Sequence, residues 1–181
     1  MEPVFIVTGN MRSGTSMMMH AVGQSMPLVY DDIGEWQGEG YKPQPHDFYD
    51  CIDTKDVPGF PDIYAGQAVK IFIFDLLKMS VEDTPRSVIY MERPIQESIA
   101  SFYKAFNYPQ DAVPPAMRED HEYNVQALRD MGYSVLNVKF RDVIEDPYTE
   151  FKRVAYHGWP VDLGKAALTV DPNWYRVRLC G

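Results

Sequence analysis

Residues Val4–Val22 read VFIVTGNMRSGTSMMMHAV. A short apolar run ends at Gly9, a polar turn follows, and an apolar pattern at helical spacing starts near Gly14. The core of the stretch, GNMRSGTS (Gly9–Ser16), fits the phosphate-loop pattern GxxxxGK[ST] except that Thr15 stands where the lysine belongs. Strand, glycine turn and helix form the context such a loop needs. Its backbone N–H groups point inward and add to the helix N-terminus, about half a positive charge in all. Arg12 brings a forked guanidinium suited to phosphate or sulfate oxygens, and the Thr15 and Ser16 hydroxyls donate to the same anion. Without the lysine, hydrolysis of a Mg²⁺-bound triphosphate is disfavoured. The plain alternative is a tight strand-to-helix turn built from small residues.

Around this stretch the chain is ordinary for a globular protein. Its 181 residues suffice for one domain with a full core, expected here to span 1–181. A net charge of −9 argues against a nucleic-acid partner, which would need a basic face. Cys51 and Cys180 suggest neither a disulfide framework nor a metal site, and reduced thiols fit a cytoplasmic setting. No apolar window is long enough for a membrane span. MEPVFIVTG reads as a first strand, with no basic leader or cleavage site.

Further along, β-rich runs alternate with helical patterns. Strands are expected at 26–30, 66–74, 87–94 and 133–140, and helices at 14–24, 94–106, 118–131, 147–157 and 162–168. The stretch 31–60, rich in Gly, Pro, Asp and aromatics, reads as loop with one helix near 46–52. Such alternation implies right-handed crossovers. The expected fold is therefore α/β, a three-layer phosphate-loop fold with a central parallel sheet of about five strands and helices on both faces.

A second stretch, VIYMERPIQESIASFYKAF, carries chemistry of its own. A buried strand ends at Arg93, a helix opens at Pro94, and Ser101 follows eight residues after the arginine. An arginine at the carboxyl end of a strand belongs at the crevice where open α/β sheets bind ligands. Taken alone, the pair better suits a surface arginine beside a helix cap.

Together, RSGTS after the first strand and Arg93…Ser101 after a later one resemble the two cofactor motifs of the PAPS-dependent sulfotransferases. The bacterial-type members are most similar, through RSGTSMMM, PLVYD, AVKI, MERP and VDPNWYR. The resemblance implies that Arg12, Ser13, Gly14, Thr15 and Ser16 hold the 5′-phosphosulfate, and that Arg93 and Ser101 hold the 3′-phosphate. It also implies that Lys70 lies beside the transferring sulfonate. The activity implied is transfer of a sulfonate from PAPS to a hydroxyl or amine, with adenosine 3′,5′-bisphosphate as product and no metal. The acceptor would be a small molecule, a glycan or a peptide. An oligomer is possible, but nothing in the sequence indicates one.

The chain departs from the family pattern in places. Phe72 occupies the position where cytosolic members carry a catalytic histidine, and it takes no proton. The RKGxxGxW segment that usually completes the 3′-phosphate site is absent, so Arg176 and Arg178 are candidates to replace it. For the base, Gly34–Glu35 resembles the Gly–Glu pair of tyrosylprotein-type members, which makes Glu35 the first candidate, ahead of Asp31, Asp32 and His46. The catalytic set expected is thus Glu35, Lys70 and Arg12. The rival functions are a small-molecule or nucleotide kinase of the phosphate-loop class, and a non-catalytic nucleotide-binding protein on the same fold.

Overall fold

The computed structural model describes residues 2–31, 49–51, 54–80, 84–106 and 120–174. Its centre is a parallel sheet of five strands: β1 (Val4–Gly9), β2 (Leu28–Val29), β3 (Ala68–Lys70), β4 (Arg86–Glu92) and β5 (Ser134–Lys139). Their spatial order is β2-β3-β1-β4-β5. β1 therefore lies in the middle, with Val7 paired to Lys70 on one side and Gly9 to Met91 on the other. All six of its residues are buried, as an interior strand of an α/β sheet requires.

Side chains of β1 alternate between two cores. Phe5 and Val7 face a layer with the methionines of α1 (Thr15–Val22), together with α5 (Phe140–Glu145), α6 (Pro147–Tyr156) and α7 (Leu163–Leu168). Val4 and Ile6 face the other layer, with α2 (Ile73–Leu76) and α4 (His121–Asp130). Trp159 closes the first core over Phe5, ring centroids 5.0 Å apart. This is the α/β sheet flanked by helices that the sequence predicts. α3 (Ile95–Phe106) follows β4 directly.

Two apolar runs change structure partway. The expected strand 66–74 pairs only over Ala68–Lys70, and FIFDLL turns into α2, burying Ile73 and Leu76 three residues apart. The expected strand 133–140 stops at Lys139, and Phe140 opens α5, which buries Phe140, Val143 and Ile144 at helical spacing. The helix expected near 46–52 is not present at 49–51, where Asp50 instead forms a parallel bridge with Lys70; its remaining residues, including His46, lie outside the described ones.

Short-range chemistry sets the helix starts. The Asp162 carboxylate accepts the Lys165 N–H at 3.0 Å and caps α7. Asp162→Ala should therefore cost about 1 kcal/mol in urea denaturation. Among the described residues no helix is long and apolar enough to cross a membrane.

Candidate functional site

The strand order places the site. Chain leaving β1 returns through β2 on one side, whereas chain leaving β4 returns through β5 on the other. The carboxyl ends of β1 and β4, which are neighbours, thus form the topological switch point where open α/β sheets bind ligands. GNMRSGTS follows β1 and Arg93 follows β4, so both motifs lie at that point.

The loop has the backbone such a turn needs. Gly14 is left-handed (φ +99°), and so is Arg12 (φ +64°), uncommon for a side-chain-bearing residue. Left-handed residues among right-handed ones turn successive N–H groups to one side, which makes an anion nest. α1 then starts with no acidic residue in its first turn and no side-chain cap at Gly14. Its N-terminal amides therefore suit an external anion. Ser13 behaves differently from its neighbours. It is fully buried, and its Oγ lies 2.5 Å from the position a Cβ on Gly9 would take. Among the described residues that hydroxyl has no hydrogen-bond partner.

Arg12, Arg93 and Ser101 meet although 81 and 89 residues separate the loop from its partners. Arg12 Nε lies 3.4 Å from Ser101 Oγ, and Arg93 Nη1 donates to the Arg12 carbonyl at 3.1 Å. Arg93 is 4% exposed; its Nε donates to Glu97 Oε2 at 3.2 Å, and Glu97 is 3% exposed. The guanidinium also lies over the Phe140 ring, 4.6 Å from its centroid. The same ring packs against Gly14. Arg93 is thus a brace under the GNMRSGTS loop as well as a strand-end cation.

A polar relay fixes the turn at Arg93 from the other face. His121 Nε2–H donates to the Arg93 carbonyl at 3.0 Å, because a carbonyl only accepts. That leaves Nδ1 to accept from the Tyr90 hydroxyl at 2.9 Å, and Asn124 Nδ2 donates to Tyr90 at 3.3 Å. Burial pushes the Tyr90 phenol up to about 12, which keeps it the protonated donor this relay needs. Arg86, the other buried arginine among the described residues, opens β4 at the opposite, amino end of the strand and pairs with Asp62 at 2.7 Å. It has no part in this cluster.

Across the loop, Lys70 ends β3 and is 5% exposed. Its Nζ donates to Ser16 Oγ at 3.1 Å and to Asp50 Oδ1 at 2.8 Å. Burial pulls its ammonium below the usual lysine range, and the Asp50 carboxylate pulls the other way. Lys70 Nζ also lies 5.3 Å from the centroid of Phe72, whose ring stacks on Phe74.

The structure therefore gathers Arg12, Gly14, Thr15, Ser16, Lys70, Arg93 and Ser101 around one loop, with Ser13 tucked beneath it. Glu35, Arg176 and Arg178 lie outside the described residues, as does Asp32. Sequence reasoning missed Glu97 as partner of Arg93, although the four-residue spacing signals such a pair. It also missed Phe140 and His121, which have no local signal, and Asp50, which lay inside an expected helix.

No protein-family model and no curated protein matches this chain. Among solved structures it is similar to the mouse sulfotransferase SULT7A1, whose crystal structure is complexed with PAP: TM-score 0.56, 13% identity, covering 99% of this chain and 68% of that one. At that identity the likeness is one of fold, and the fold is that of a sulfotransferase.

Proposed function

We propose that this chain is a sulfotransferase, moving a sulfonate from PAPS to a hydroxyl or amine on a small-molecule acceptor. The observation that carries this reading is the convergence of Arg12, Ser101 and Arg93 at the switch point of a sulfotransferase fold. The donor set suits such a group: inward amides, a helix N-terminus free of acidic residues, and cations on both sides of the loop.

On this reading the loop from Arg12 to Ser16 receives the 5′-phosphosulfate, and Arg93 with Ser101 serves the 3′-phosphate. Sulfonyl transfer asks little covalent chemistry of the protein. The acceptor oxygen must be aligned with the breaking S–O bond, and the charge on the sulfonate and leaving oxygen must be balanced. Lys70 and Arg12, on opposite sides of the loop, supply that balance.

Calorimetric titration tests the reading. Adenosine 3′,5′-bisphosphate should bind, and removing either phosphate should weaken binding by about tenfold or more, the worth of a charged hydrogen bond. Equal affinity for the bisphosphate, 3′-AMP and 5′-AMP would overturn it. Phe72, at the family's base position, favours a second reading, in which the nucleotide binds without turnover. That reading predicts the same titration and no cleavage of PAPS.

A further inference from the structure

We propose that Asp50 is the general base of this site, taking the proton of the acceptor while Lys70, its ion-pair partner, holds the sulfonate. The inference rests on the sulfonate-transfer reading above. Asp50 enters through the backbone: it forms a parallel bridge with Lys70, and its carbonyl accepts the Asp31 N–H at 3.1 Å. This extra pairing extends the sheet edge past β3 and holds the Asp50 carboxylate 2.8 Å from Lys70 Nζ. That nitrogen is in turn 3.1 Å from Ser16, the last residue of the loop motif. One carboxylate is thus fixed beside the end of the loop where the sulfonate would sit, and its side chain keeps 17% exposure for an acceptor to reach.

Other described groups are less suited. Glu97 is buried against Arg93, and Glu92 accepts from Asn137 Nδ2 at 2.7 Å. Both belong to the β4 side of the loop. His20 lies five residues into α1, roughly 7 Å along its axis, where Nδ1 bonds the Tyr49 hydroxyl at 3.0 Å. Phe72 has no proton acceptor.

The pairing with Lys70 matters for the chemistry. A buried ammonium needs an anion, and in the free protein Asp50 is that anion. A bound sulfonate supplies a second one. Lys70 then shares its charge, and Asp50 is left able to accept a proton. As the acceptor oxygen forms its bond to sulfur, the bond from sulfur to the phosphate oxygen breaks and that electron pair leaves with the phosphate. The acceptor proton passes to Asp50.

Asp50→Asn and Asp50→Glu test this, with phenol, 4-nitrophenol and water as acceptors and PAPS as donor. Asp50→Asn should lower transfer to phenol by roughly 10²–10⁴-fold. The loss should shrink with 4-nitrophenol at mildly alkaline pH, since the ionised phenol carries no proton to remove. Affinity for adenosine 3′,5′-bisphosphate should stay the same or tighten, because Lys70 loses a competing anion. Asp50→Glu keeps the ion pair and the fold and should retain part of the activity. Transfer by Asp50→Asn within about threefold of wild type would overturn the proposal. So would an equal loss with both phenols, parallel loss of nucleotide affinity in both variants, or a wild type that binds the nucleotide and cleaves PAPS with none of the acceptors. A wild type that does not distinguish the bisphosphate from its monophosphates would instead overturn the sulfotransferase reading itself.

Discussion

Arg93→Ala is expected to destabilise the protein by about 3–5 kcal/mol in chemical denaturation, the range for removing one partner of a buried ion pair. The side chains of Arg93 and Glu97 are only 5% and 4% exposed, so the alanine removes the guanidinium 3.2 Å from a buried carboxylate. The loop also loses the bond from Arg93 Nη1 to the Arg12 carbonyl, and Phe140 loses the guanidinium over its ring. Affinity for adenosine 3′,5′-bisphosphate should fall by about 2 kcal/mol or more, as expected for a charged hydrogen-bond partner. A companion variant separates the two effects. Arg93→Met with Glu97→Leu replaces the pair by apolar side chains, an exchange that is often neutral or stabilising. It should recover most of the stability and none of the affinity. Recovery of both would show that Arg93 only braces the loop.

The second large effect is expected at Gly14. A Cβ there would lie 2.3 Å from Cδ2 and 2.8 Å from Cε2 of Phe140, on a residue whose φ is +99°. Phe140 is 4% exposed at the start of α5 and has little room to retreat. Left-handed backbone costs an alanine about 1–2 kcal/mol, and overpacking adds about 1–3 kcal/mol. Gly14→Ala should therefore lower stability by about 2–5 kcal/mol in total. Because the displaced ring carries Arg93, nucleotide binding should weaken as well. Phe140→Ala in the same background relieves the clash and should return part of the lost stability, a coupling read from a double-mutant cycle. Purely additive losses would mean that the ring yields without strain.

How much was legible beforehand depended on whether the signal was local. β1 and β4 appear as near-continuous apolar runs because interior strands of a parallel sheet are buried on both faces. GNMRSGTS was legible as a strand-to-helix turn because such a turn is a local backbone device between one strand and one helix. IFIFDLL was not, because it satisfies a strand period and a helix period together. β3 stops at Lys70, where its pairing with β1 ends at Val7, and Ile73 and Leu76 then find the core as a helix. Phe140 was misassigned for the same reason, since an apolar residue after a strand pattern serves equally as the first turn of a helix.

By itself, the sequence determined the layer architecture, the glycine turn from β1 into α1 and the strand-end arginine with its serine eight residues on. Each of these is set within one or two consecutive elements. Tertiary structure alone decided that Arg93 bears on the Arg12 carbonyl, that Phe140 links Gly14 to Arg93, and that Asp50 rather than a nearer residue meets Lys70. Those contacts join segments 20 to more than 120 residues apart. They follow from the strand order β2-β3-β1-β4-β5, which brings β1 between β3 and β4 and so draws the ends of all three to one point.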